Sequence, residues 1–395
     1  MAGVGSVSPP KVLFVSHSGA VSGAERVLLD VIEAFPQARA FVFEPGDLPA
    51  RLTAAGVETT VSKGGATLSG ARRDSSLRVI LPLASALFGL TRELMAAMKD
   101  CDVVYANSQK AFTLAALACL LKRKPLVWHL HDILSPAHFG TLQRQLQTRL
   151  ANLAACCVIV PSDAAAQAFI AAGGTAKRVA VVPNGVSREP DPRSKADLRR
   201  DMGLPEAGFL AGVFSRISPW KGQDIVLQAL AGNPDITGVF AGSALFGEEA
   251  YASRLQRLVR EFGLENRAIF LGQRSDILPL MQAMDVVIHP STEPEPFGLT
   301  LVEAMLAGTP LLASDAGASA EILDNGRYGT LFAPANPAAL ITALTDLARM
   351  AAERPDDLAE ITAAARERAL TVYSVARMND AIAGSVASAT RQRLA

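Results

Sequence analysis

Residues 288–307 read IHPSTEPEPFGLTLVEAMLA, and the rest of the chain is best read outward from them. Residues 286–289 form an apolar run short enough for a buried strand. Residues 291–296 form a polar turn with two prolines, and residues 298–307 an apolar helix. In that order the first N–H groups of the helix face the turn, where unpaired donors and the positive end of the helix dipole attract phosphate. Glu303 falls inside the helix among Leu299, Leu301, Val302, Met305 and Leu306, where a carboxylate is costly to bury unless something bonds to it. A pair of ribose hydroxyls would meet that need, and so would a neighbouring arginine. Glu295 lies in the turn, placed to meet a sugar rather than a nucleoside.

Short β-branched runs alternate with longer alanine- and leucine-rich patterns at helical spacing, the signature of an α/β chain with parallel sheets covered by helices. Strands are expected near 12–15, 40–43, 58–61, 103–105, 126–129, 157–160 and 179–182. They resume near 209–214, 236–241, 268–271, 286–288 and 311–313. Between the two series, residues 182–197 (VPNGVSREPDPRSKAD) are rich in proline, glycine and charge and read as a linker. A length of 395 residues with 50% apolar content is ample for two cores. The expected division is 1–188, 189–372, and a last helical segment, 373–395.

The four cysteines (Cys101, Cys119, Cys156, Cys157) have no metal or disulfide spacing and read as buried thiols. The first residues lack the charged and apolar regions of a signal peptide, and no window is apolar enough for a membrane span, so a cytoplasmic location is expected. Formal charge sums to zero, but residues 1–188 hold 19 Lys and Arg against 12 Asp and Glu, and residues 189–395 hold 19 against 26. The first half is therefore suited to an anionic partner, such as a membrane surface or a phosphorylated acceptor. With 6% aromatics and no basic stripe interleaved with them, nucleic acid is not expected. Arg72, Arg73 and Arg78 introduce an apolar stretch, 79–98, broken by Arg92 and Glu93. It fits either a helix lying on an anionic membrane or a core helix with a solvated arginine face.

Other motifs fall at expected strand ends. SHSGAVSGAERVLL (16–29) is a small-residue loop opening a helix, where Gly19 and Gly23 permit close backbone approach; its spacing is not G-x-G-x-x-G, which disfavours a dinucleotide enzyme. VFSRISPWKGQD (213–224) brings Arg216 and Lys221 to one loop, a planar donor fork and a mobile point charge suited to a diphosphate. WHLHD (128–132) puts His129 and His131 on the same side of a strand end. His129 reads as a core histidine bonded to a carbonyl. His17, Asn107 and Ser108 lie at strand ends on the side where open α/β sheets place ligands.

Together these motifs resemble the retaining family 4 glycosyltransferases (glycosyl transferases group 1), whose Glu-x7-Glu signature is similar to EPFGLTLVEAM. The resemblance implies a GT-B fold: two Rossmann-like domains facing across an interdomain cleft, with the last helix crossing back to the first. It also implies a retaining, metal-independent transferase with no cofactor, using a nucleotide-diphosphate sugar and a glycan or lipid-linked acceptor. The catalytic candidates it implies are His131, Glu295, Arg216 and Lys221. Donor contacts fall to Gly23, Arg216, Lys221, Glu295, Phe297, Gly298, Leu299, Thr300 and Glu303, and acceptor contacts to His17, Gly19 and Asn107. SGAE at 22–25 is similar to the family's GGAE with Ser22 for the first glycine. PNGV (183–186) matches a hinge at which Gly185 takes an unusual backbone angle, and GASAEI (317–322) matches GG-x-E with Ala318 for a glycine. A sugar-nucleotide epimerase on the same fold and a non-catalytic nucleotide-sugar-binding partner remain the alternatives.

Overall fold

The computed structural model describes residues 9–64, 77–244 and 247–392 and consists of two units, 1–185 with 375–395, and 186–374. Unit 1 holds β1 (Val12–Ser16), β2 (Arg39–Val42), β3 (Glu58–Val61), β4 (Val103–Ala106), β5 (Leu126–His129), β6 (Cys157–Val160) and β7 (Val179–Val181). Unit 2 holds β8 (Phe209–Phe214), β9 (Ile236–Ala241), β10 (Ala268–Gly272), β11 (Val286–His289), β12 (Leu311–Ser314) and β13 (Thr330–Phe332). Both sheets are parallel, in the orders β3-β2-β1-β4-β5-β6-β7 and β10-β9-β8-β11-β12-β13. Each is the Rossmann-like sheet that the strand and helix alternation predicts.

Parallel strands covered on both faces read as continuous apolar runs, and every residue of β1, β4, β5, β11 and β12 is buried. In unit 1, Trp128 of β5 stacks on Phe112 of the helix Gln109–Lys122, ring centroids 4.0 Å apart. The final helix, Val375–Gln392, packs in unit 1 against the helix Gly23–Ile32 and against β5 and β6.

The order of each sheet reverses direction once, between β1 and β4 in unit 1 and between β8 and β11 in unit 2. Crevices at the carboxyl ends of such neighbouring strands are where open α/β sheets hold ligands. The loops after β8 and β11 carry Arg216, Lys221 and Glu295.

Two expectations need correction, and a third stretch is placed with both of its readings open. The strand β13 has no counterpart in the sequence reading: it opens on polar, exposed Thr330 and buries only Phe332, so no β-branched apolar run marks it. Gly185 has no positive φ; the turn is held instead by its N–H donating to Met378 Sδ at 3.0 Å, and Val186 N–H donates to the Tyr373 carbonyl at 2.8 Å. The apolar stretch 79–98 lies in the helix Leu77–Ala97, whose Leu90 and Leu94 are buried in the core while Leu87 and Phe88 are exposed. Arg72, Arg73 and the Arg78 side chain lie outside the described residues. Among the described residues no helix is long and apolar enough to cross a membrane.

Candidate active site

In unit 2 the loops after β8 and β11 are stitched together. Thr292 N–H donates to the Trp220 carbonyl at 2.8 Å, and Gly222, at φ +68°, lies so close to Pro290 that an added Cβ would sit 2.1 Å from its carbonyl oxygen. This closeness brings Lys221 onto Glu295. Glu295 Oε1 accepts hydrogen bonds from Lys221 Nζ and the Ser291 hydroxyl, and His289 Nε2 lies 3.1 Å away. Ser291 is held in turn by Ser314, whose hydroxyl donates to the Ser291 carbonyl at 2.6 Å. Burial by itself would raise the Glu295 carboxyl pKa; His289 and Lys221 beside it outweigh burial and hold it well below the usual carboxylate range. Glu295 is therefore an ionised acceptor at neutral pH, not an acid.

The helix Leu299–Ala307 begins at Gly298, which caps it at φ +94°. Thr300 Oγ1 donates to the Phe214 carbonyl at 3.1 Å, fixing the helix start to the end of β8. Phe297, given to the donor by the resemblance, turns its side chain into the core and packs edge-on to Tyr373, centroids 5.7 Å apart. Glu303 lies buried on this helix with Arg188 Nε at 3.5 Å, so a neighbouring arginine able to satisfy this carboxylate is present. Arg216 follows β8, and its carbonyl accepts from Gln223 Nε2 at 2.7 Å. The 317–322 loop packs directly on this turn: Ala318 N–H donates to the Glu295 carbonyl at 3.1 Å. Ala318 has φ −84°, so an alanine fits there without strain.

The remaining candidates lie in unit 1, at the ends of the adjacent strands β1, β4 and β5. His17 Nδ1 meets the Ser108 hydroxyl at 2.8 Å. Asn107 Nδ2 donates to the Ala24 carbonyl at 3.2 Å, which turns its Oδ1 toward His131 Nε2, 2.9 Å away. His131 Nε2 is therefore the protonated nitrogen and Nδ1 the acceptor. Asn107 is fully buried and bonded at both ends of its amide, to the Ala24 carbonyl and to His131. Gly19 makes a close approach within the chain, since a Cβ there would lie 2.1 Å from the Pro45 carbonyl oxygen. His129 bonds not a carbonyl but the Tyr105 hydroxyl, 2.6 Å from Nδ1, and its ring lies 3.9 Å from that of His131.

Gly23 opens the helix Gly23–Ile32, where Glu25 Oε2 accepts from both the backbone N–H (3.1 Å) and the hydroxyl of Ser22. S-G-A-E thus works as a helix cap, a role legible in its Ser-x-x-Glu spacing. The sequence reading also passed over His289 and Ser291, although a histidine ending an apolar strand and a serine opening the turn both stand within residues 288–307.

Burial lowers the His131 pKa to about 3, and burial followed by Lys110 lowers that of His17 to about 4; burial and then His131 push His129 well down. All three are neutral in the fold at pH 7 but take up protons once unfolded. The stability they contribute is complete above the unfolded value of about 6.5 and is lost as pH falls from there toward the folded values. The melting temperature is expected to decline between about pH 6.5 and pH 4, and His131→Gln to flatten that decline; an unchanged slope in the variant would refute it.

A family model for glycosyl transferases group 1 matches residues 194–368, and one for glycosyltransferase family 4 matches residues 21–189. The chain is 32% identical over 211 residues to the lipopolysaccharide core biosynthesis mannosyltransferase LpsB of Rhizobium meliloti, an overlap of 50% of this chain and 58% of that protein. It is 34% identical over 177 residues to the D-inositol 3-phosphate glycosyltransferase of Mycobacterium tuberculosis, covering 44% of this chain and 37% of that protein. The matches thus span less than two thirds of these curated relatives. Among solved structures, Anabaena Alr3699/HepE in complex with UDP and glucose is 36% identical with a TM-score of 0.85, covering 96% of this chain and 100% of that one. The lipopolysaccharide outer core galactosyltransferase WaaB, 18% identical at a TM-score of 0.69 over 95% of this chain and 99% of that one, shares the fold.

Proposed function

Since this chain belongs to the group 1 and family 4 glycosyltransferases of GT-B fold, we propose that it moves a sugar from a nucleotide-diphosphate donor to a glycan or lipid-linked acceptor with retention of configuration. The observation that carries the reading is the joining of Lys221 to Glu295 beside the start of the helix that bears Glu303. It gathers a cation for phosphate, an ionised acceptor for sugar hydroxyls and a carboxylate for ribose on neighbouring strands β8 and β11. Solved HepE structures hold UDP and UDP-glucose, and we take UDP-glucose as the first donor to test. The relatives' roles in lipopolysaccharide and inositol glycoside synthesis support a polysaccharide or glycolipid product.

In this reading the cations at Arg216 and Lys221 stabilise charge on the departing diphosphate, the greatest rate contribution such a site offers. The bond from the anomeric carbon to the diphosphate oxygen breaks and a bond to the acceptor oxygen forms on the same face. The acceptor proton passes to the leaving diphosphate oxygen. Lys221 and Arg216 take the role otherwise given to a divalent ion, so full turnover is expected with chelator present. Neutral His131, its Nδ1 free of a proton, is assigned to a hydroxyl of the transferred sugar.

Thermal stabilisation by UDP, GDP and ADP tests the donor site: a ligand at about 100 times its dissociation constant adds about 2.7 kcal/mol. UDP is expected to stabilise most, and Glu303→Gln to raise the donor KM while changing kcat little. No shift with any diphosphate would overturn the donor site. Conversion of the nucleotide sugar without acceptor would favour an epimerase, and binding without turnover on any acceptor a non-catalytic partner. A Glu303→Gln variant with unchanged KM would leave that carboxylate to Arg188.

A further inference from the structure

Unit 1 bears an apolar surface that none of the candidate site residues occupies, and we propose that this surface docks on an anionic lipid bilayer. Among the described residues twelve large apolar side chains are exposed. Eight of them stand on three helices packed in succession over one face of the sheet, Leu77–Ala97, Gln109–Lys122 and Thr141–Ala154. A surface of chance leucines would scatter them over both units. On Thr141–Ala154, Leu142, Leu146 and Leu153 are 70%, 55% and 67% exposed, and with exposed Arg149 they recur at helical spacing on one side. On Gln109–Lys122, Leu117 and Leu121 share a side with Lys110 in the same way. A groove walled by Leu142, Leu146 and Leu150 runs beside Thr113 of the neighbouring helix, whose Oγ1 accepts from Gln147 Nε2 at 3.2 Å.

Charge selects the occupant. Residues 109–154 hold Lys110, Lys122, Arg123, Lys124, Arg144 and Arg149 against a single acid, Asp132, and Asp132 is bonded to Gln109. A second copy meeting this face by two-fold symmetry would set like charges against one another. Protein hot spots draw on Trp, Tyr and Arg more than on leucine. Leucine rows flanked by cations are instead the composition of helices that lie along a membrane surface and are drawn to anionic headgroups. The sequence pattern at 79–98 directs attention to an adjacent helix; the exposed leucines place the contact mainly on the next two.

The test is flotation of the full chain with vesicles of phosphatidylcholine alone or mixed with phosphatidylglycerol, across a salt series. Binding that requires phosphatidylglycerol and fades with salt is expected. The double variant Leu142→Ser/Leu146→Ser is expected to reduce partitioning by on the order of tenfold or more, and Arg149→Glu by roughly fivefold or more on the anionic vesicles. Both replace exposed side chains, so the wild-type melting temperature should persist; should the serine variant melt early, Arg149→Glu alone decides. Absence from both vesicle fractions at low salt, or full binding by the variants, overturns the proposal. So does a lipid-free dimer in sedimentation equilibrium that the serine variant dissolves, which would give the face to a second copy. Flotation needs no turnover, so its failure leaves the donor reading untouched.

Discussion

Replacing Lys221 or Glu295 alone is expected to destabilise unit 2 more than replacing both together. The two side chains are only 13% and 7% exposed, and Glu295 Oε1 is shared by Lys221, the Ser291 hydroxyl and the nearby His289. Removing one member of a buried pair leaves an uncompensated charge, at about 3 to 5 kcal/mol, whereas exchanging both removes the charge with its partner. Lys221→Met and Glu295→Gln should each lower the denaturant midpoint strongly, and the double variant should recover much of the loss. Activity should behave otherwise: each single change is expected to cost on the order of a hundredfold or more in kcat/KM, and the double should recover none of it. Stability that returns while turnover does not separates the fold's use of the pair from the reaction's use of it. Effects that add within about 0.5 kcal/mol would show two uncoupled residues and sink the assignment. Acid supplies a second signature. Because His289 and Lys221 hold the Glu295 carboxyl well below its ordinary pKa of 4.5, its contribution to stability is complete above that value and is lost as pH falls through the folded one.

Gly317→Ala should disable the site more thoroughly than its one added methyl suggests. Gly317 has φ +64°, and a Cβ there would lie 2.2 Å from the Glu295 carbonyl oxygen and 2.3 Å from the Glu295 nitrogen. Both are backbone atoms, so no side chain can swing aside and the turn carrying Glu295 must move. A displacement of about 1 Å at a reacting group costs about a hundredfold, and that loss in kcat is expected. Gly263→Ala is the control. Gly263 also has φ +64°, but an added Cβ meets nothing within 4 Å, so it carries only the left-handed backbone cost of roughly 1 to 2 kcal/mol. Equal kcat in the two variants would show that the approach to Glu295 is irrelevant to catalysis.

The sequence by itself determined the elements. Apolar runs of three to six residues bounded by glycine, proline and polar turns gave twelve of the strands in order, because period and turn chemistry are properties of neighbouring residues. Lys221, Glu295 and Glu303 were legible for the same reason: each is a charged group in or beside an apolar element, which asks for a partner. Which partner was not legible. Lys221 and Glu295 stand 74 positions apart, and they meet because β8 pairs with β11, an order settled by how the covering helices share the two faces of the whole sheet. The same nonlocal packing explains Gly317, Gly222 and Gly19, each required by another loop's backbone, and Asn107, whose amide is divided between Ala24 and His131. Local chemistry specified which groups needed company. Only the tertiary structure, through strand order and close backbone approach, decided which groups supplied it.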